Sequence, residues 1–135
     1  MRTRAVLTDE DVIRVADAAV AHARANEWNV TIALVDDGGH LLHLRRLDGA
    51  APITAEIAVA KARTASLGRR ESKVYEDVIK QGRTAFLSAP LTGMLEGGVP
   101  VIVNGDVIGA VGVSGVKSDQ DAAIARAGIA ALGVE

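Results

Sequence analysis

The stretch Val99-Pro100-Val101-Ile102-Val103-Asn104-Gly105-Asp106-Val107-Ile108-Gly109-Ala110-Val111-Gly112-Val113-Ser114 decides the fold. Two runs rich in valine and isoleucine flank Asn104-Gly105-Asp106, whose residues suit the tight turn of an antiparallel hairpin. Gly115 then leads into Ser118-Asp119-Gln120-Asp121, which has the pattern of a capping-box helix start. The helix that follows carries Ile124, Ala127 and Ala131 and stops at Gly133. On the other side, residues 82–98 are interrupted by Pro90, Gly93 and the Gly97-Gly98 pair. An irregular connection is expected there, with room for one further strand between Phe86 and Leu95. Long irregular connections in small domains tend to carry function.

Further upstream a second hairpin is legible. Residues 29–36 alternate, with Val30, Ile32 and Leu34 on one face. Asp37-Gly38-Gly39 turns the chain, and residues 41–47 return as a strand. Asp48-Gly49-Ala50 ends that strand, and Pro52 pre-sets the first turn of a helix. This helix places Ile53, Ile57, Ala60, Lys61 and Thr64 on one stripe and should end near Gly68. A shorter helix is expected within residues 71–81, with Val74, Val78 and Tyr75 inward. At the N-terminal end Thr8 caps a helix, Asp11 takes the reciprocal position, and Leu7 with Val12 forms a hydrophobic staple. Val12, Ala16, Ala19, Val20 and Ala23 form its apolar stripe, and Asn26 ends it.

Helix, hairpin, helices, hairpin, helix implies an α+β fold in which helices pack on an antiparallel sheet of four or five strands. Strands and helices do not alternate singly, which argues against a parallel dinucleotide-binding sheet. The 135 residues suit one domain spanning residues 1–135. Of these, 49% are apolar, with a single Trp, Tyr and Phe, so Val, Ile, Leu and Ala must build the core. A net charge of −2 supplies no field for nucleic acid or an anionic membrane surface. The lack of cysteine removes disulfides, zinc–thiolate sites and thiol nucleophiles together. No apolar run approaches the roughly 20 residues that span a bilayer. Met1-Arg2-Thr3-Arg4-Ala5-Val6-Leu7 reaches a helix cap before a signal-peptide core develops, so a cytoplasmic location is expected.

Several segments together resemble the GlcG/HbpS-like (DUF336) family. They are Val35-Asp36-Asp37-Gly38-Gly39-His40-Leu41-Leu42, Arg46-Leu47-Asp48-Gly49-Ala50 and Ala58-Val59-Ala60-Lys61-Ala62-Arg63-Thr64-Ala65. Gly97-Gly98-Val99-Pro100-Val101 follows, running into Gly109-Ala110-Val111-Gly112-Val113-Ser114-Gly115, and Asp121-Ala122-Ala123-Ile124-Ala125-Arg126-Ala127-Gly128 closes the set. Their order and spacing carry the resemblance over roughly residues 7–132. It implies a profilin-like fold with a five-stranded antiparallel sheet and homo-oligomers from dimer to octamer. It also implies haem as a possible ligand, since some members bind haem and others are encoded with catabolic genes.

Lys61 stands out among the candidate binding residues because its stem should face the sheet. A partly buried ammonium there could hold an anionic ligand or act as a base; equally, it could snorkel to solvent or pair with a structural acid such as Asp48. Thr64 shares its stripe. Arg45 and Arg46 point to opposite faces of their strand, and a guanidinium such as that of Arg46 suits a carboxylate. Asp48 either caps a turn or joins the site. His43 could serve as a base or an iron ligand, as could His40, but neither has the spacing of a metal-binding pair, and no metal site is expected. Gly97 and Gly98 offer backbone amides for an anion. Phe86 and Met94 could line an apolar wall or simply join the core.

Two functions are compatible with these residues. The first is a cytoplasmic, oligomeric small-molecule-binding protein, with haem or another anionic tetrapyrrole as the ligand to test. The second is a cofactor-free isomerase, tautomerase or hydrolase acting on a small organic acid, with Lys61, His43 and Asp48 in acid–base roles. No nucleic-acid stacking platform is present in the sequence.

Overall fold

Both hairpins form where their turn residues place them. The structure, a computed structural model, describes residues 1–134. Strands β3 (Gly98–Val103) and β4 (Asp106–Ser114) are joined by Asn104 and Gly105, at φ 51° and 81°. Positive φ at both positions matches the right-handed twist of the paired strands. Strands β1 (Thr31–Asp36) and β2 (Leu41–Arg46) turn through Asp37-Gly38-Gly39-His40. The Asp36 carboxylate anchors that turn by accepting the backbone N–H groups of Gly38 and His40, each at 2.9 Å.

The two hairpins meet through β1 and β4, giving a four-stranded antiparallel sheet in the order β2-β1-β4-β3. Their register sorts the side chains by size. Ile32 lies opposite Val113 and Leu34 opposite Val111, so one face is bulky; Ala33 opposite Gly112 and Val35 opposite Ala110 make the other face thin. The bulky face is covered by α1 (Asp9–Ala25) and α4 (Ser118–Ala130) around the larger core cluster. Helix α1 buries Val12, Val15, Ala16, Ala19, Val20 and Ala23, and each such valine contributes roughly 1.5–3 kcal/mol. Thr8 caps it as expected, its Oγ1 accepting the Asp11 N–H while Asp11 accepts the Thr8 N–H.

The thin face receives α2 (Ile53–Gly68). A Cβ on Gly112 would run into the Ala58 carbonyl oxygen, so α2 lies almost on the β4 backbone. Helix α3 (Ser72–Lys80) follows, beside the β3 edge. Its Tyr75 is buried, but Val74 is 40% exposed and does not turn inward as the spacing suggested.

No fifth strand forms between Phe86 and Leu95. Residues Thr84–Ser88 make a 3-10 helix, and the chain then runs irregularly to Gly98. Pro90 has no N–H to give a ladder, and the local bonds from Phe86 N to Arg83 O and from Ala89 N to Phe86 O keep the segment to itself. Among the described residues no helix is long and apolar enough to cross a membrane.

Candidate functional site: a guanidinium-rimmed cleft

Lys61 is 3% exposed, deeper than a ligand-binding lysine needs to be. Its Nζ donates to the Val113 carbonyl at 3.0 Å and to Asp121 Oδ2 at 3.1 Å. The partner is therefore Asp121 on α4, not Asp48. Asp121 is 2% exposed, and its other oxygen accepts the Val116 N–H at 3.2 Å. Burial pushes the Asp121 carboxyl above its ordinary value against the opposing pull of Lys61 and the Val116 N–H. Asp121 thus ties α2 through the sheet to α4, and it is not a helix cap. The α4 start is held instead by the Lys117 N–H donating to Gln120 Oε1.

Four of the sequence candidates lie on or against α2: Lys61 and Thr64 belong to it, and Gly97 and Gly98 press on Lys61. A Cβ on Gly97 would lie 2.7 Å from Lys61 Nζ, and one on Gly98 would overlap the Lys61 carbonyl oxygen. Thr64 Oγ1 donates to the Thr92 carbonyl, and the Gly98 N–H donates to Ser72 Oγ at 2.8 Å. The loop and the lysine are therefore engaged within the protein, in closely packed structure.

The other three candidates stand at the opposite edge. Arg46 and His43 lie on β2, separated from β3 by two strands, about 14 Å at the usual strand spacing. Arg46 is exposed, and His43 Nε2 is buried without a hydrogen-bond partner among the described residues. Asp48 lines a shallow hollow with Arg24, Trp28 and Asn29. His40 is tied through Nδ1 to Asp36 at 3.1 Å. Burial raises the Asp36 carboxyl, but the N–H groups of His40 and Gly38 and the His40 ring together outweigh it and hold it below its ordinary value. Phe86 stacks at a tilt on Tyr75, with ring centroids 5.2 Å apart, while buried Met94 lines an apolar groove with Ile79, Leu87 and Leu91.

A cleft of about 620 Å³ opens between α3, α4 and the free edge of β3. Val74, Val99, Pro100, Ile102, Ile129 and Ala130 give it an apolar floor. Arg69, Arg70, Glu71 and Arg126 stand around it. Arg69 sits at the left-handed C-cap of α2, φ 59°, and donates through one nitrogen to the Asp37 and Ser66 carbonyls at 2.6 and 3.0 Å. Arg70 lies over the Tyr75 ring, 5.8 Å from its centroid, and its Nε donates to the Gly68 carbonyl at 3.3 Å. Arg126 pairs with Glu71 across 55 positions of sequence. A guanidinium carries five donors, so Arg69 and Arg70 keep free N–H groups after these bonds. Pockets of this volume hold ligands of drug size, and an apolar floor with a few fixed polar groups is their usual form.

None of these rim residues was singled out from sequence. The run Arg69-Arg70-Glu71 is visible between two helices, yet nothing in its spacing announces Arg126.

The model of the family described as "Haem degrading protein HbpS-like" matches residues 7–130. The chain belongs to the HbpS-like family. This HbpS-like protein is 54% identical over 114 residues to "Protein GlcG" of Escherichia coli K12, covering 84% of this chain and 85% of GlcG. A crystal structure of Streptomyces reticuli HbpS, a double mutant, superposes with a TM-score of 0.88 at 34% identity, covering 98% of this chain and 91% of that one. The "PduOC:Heme Complex" superposes with a TM-score of 0.87 at 28% identity, covering 97% and 98% of the two chains.

The family's description and the last of these neighbours name haem, and the cleft fits one part of that molecule. Its floor suits a porphyrin face, and its guanidinium groups suit the propionate carboxylates. The iron finds no comparable provision. Among the described lining residues none is His, Met, Cys or Tyr, and the lone carboxylate, Glu71, is engaged by Arg126.

Proposed function

We propose that this HbpS-like protein is a cytoplasmic, oligomeric binder of an apolar, carboxylate-bearing small molecule, with haem the first ligand to test. The observation that carries this reading is the cleft of about 620 Å³, in which three arginines surround an apolar floor. Burying the body of a ligand on Val99, Pro100 and Ile129 supplies affinity in proportion to area. The guanidinium groups orient its carboxylates in a partly water-excluded setting. A haem-complexed relative supports the choice of ligand.

The β2 edge supports the oligomer. Leu41, Leu42 and Leu44 are 52%, 43% and 39% exposed on a strand with one unpaired side. Such an edge is open to pairing unless it is covered.

Titration with ferric haem, followed at the Soret band, tests the binding. Saturable uptake is expected, weakened in Arg70→Ala and Arg126→Ala variants, while Arg46→Ala at the far edge of the sheet leaves it unaltered. Absence of saturable uptake, or uptake indifferent to both cleft-arginine variants, would end the proposal.

A further inference from the structure

We infer that the cleft selects its ligand by ring and carboxylates and is indifferent to the metal, so that metal-free porphyrin carboxylates are ligands as good as haem. This rests on the reading of the cleft given above and narrows it to a ligand class. Among the described lining residues, apart from Glu71, which Arg126 engages, the binding groups of the cleft are of two kinds. The floor is aliphatic, from Val74, Val99, Pro100 and Ile129, and attracts a ring face through burial alone. The rim is cationic, and its open donors belong to Arg69 and Arg70, with Arg126 shared by Glu71. Neither kind distinguishes a ring that carries iron from one that does not.

The three imidazoles lie elsewhere. His22 packs against Trp28 on α1, with centroids 6.1 Å apart. His40 is held by Asp36 in the β1–β2 turn. His43 is on β2, at the edge of the sheet opposite the cleft. Met94 lines a separate groove behind α3. Glu71 would have to leave Arg126 to approach a metal, losing an ion pair that joins the two walls of the cleft. A ligand carboxylate makes no such demand, because a guanidinium carries five donors and Arg126 can receive it while keeping Glu71. Affinity is therefore set by carboxylate number and apolar area.

The test compares three probes on the full chain: ferric haem, metal-free protoporphyrin IX and its dimethyl ester. Porphyrin fluorescence and Soret absorbance give the dissociation constants. Haem and the metal-free diacid are expected to bind within about threefold of each other, and the ester at least about tenfold more weakly, as loss of charge-assisted hydrogen bonds dictates. Arg70→Ala with Arg126→Ala should weaken both diacids by the same factor. His22→Ala, His40→Ala and His43→Gln, each removing its imidazole from every copy in an oligomer, should leave the haem spectrum unchanged. Haem binding more than about tenfold tighter than the metal-free diacid, or a Soret band altered by any histidine change, would overturn the inference while leaving the cleft a binding site. Failure of all three probes to bind would overturn the functional reading itself, and this inference with it.

Discussion

Lys61 and Arg126 are both cations on helices packed against the sheet, and each has a carboxylate partner. Lys61 is 3% exposed, bonded to Asp121 and to a strand carbonyl, with glycines pressed against it. Arg126 keeps 51% of its side chain exposed beside an open apolar cleft, with two further guanidinium groups near it. The difference separates holding the fold together from holding a ligand. A charge removed from water must be fully satisfied by the protein, and once satisfied it has nothing left to offer. A charge at the rim of an apolar hollow stays hydrated until a ligand replaces that water.

The largest expected effect breaks the buried pair. Lys61→Met removes the cation that partners buried Asp121 and should cost about 3–5 kcal/mol in urea denaturation. Adding Asp121→Leu should recover most of that loss, since a well-packed apolar pair often equals a buried ionic one. A single-variant cost below about 1 kcal/mol would mean the pair is no more than a surface contact in solution. Next come the rim arginines. Arg70→Ala and Arg126→Ala together should weaken carboxylate-ligand binding by roughly 10- to 100-fold, with stability unchanged within about 0.5 kcal/mol. If stability falls instead, the rim belongs with the buried pair and not with a site.

A smaller effect belongs to neither region. Thr8→Ala removes the α1 cap and should cost about 1 kcal/mol, read as a shifted denaturation midpoint with binding intact. The smallest effects are in pH. Asp121 has a raised folded value, so the folded state holds its proton more tightly than the unfolded chain does. Its contribution is present below the ordinary 3.8 and is lost as pH rises from there through the folded value. Stability of the wild type relative to Asp121→Asn should therefore decline with pH above 3.8. Asp36 has a lowered folded value and behaves oppositely. Its contribution is present above 3.8 and lost as pH falls through the folded value, so Asp36→Asn should flatten acid unfolding there. A rise with pH at Asp121 would show Lys61 outweighing burial.

The two hairpins, the Thr8 cap and the Gly68 end of α2 were legible because each depends on residues a few positions apart. Asn104-Gly105 needs only its own φ angles, and Thr8 only the N–H three residues on. The 3-10 helix at Thr84–Ser88 was not legible, because five residues leave no period to read. The inward placement of Lys61 was also readable from the stripe of α2. Its partner was not, since Asp121 lies 60 residues away in a stretch with the pattern of a helix cap.

Sequence by itself determined the four helices, the two hairpins and the family, since local hydrogen bonding and alternation encode the first two and the order of the motifs carries the third. Only the tertiary structure decided which charges are satisfied inside the protein and which are open. Side-chain satisfaction depends on what other elements bring near, and here α4 supplies both the acid that neutralises Lys61 and the guanidinium that completes the cleft with Arg69 and Arg70. Neither meeting has a signature in spacing, because each joins residues that touch only once the sheet has closed between the helices.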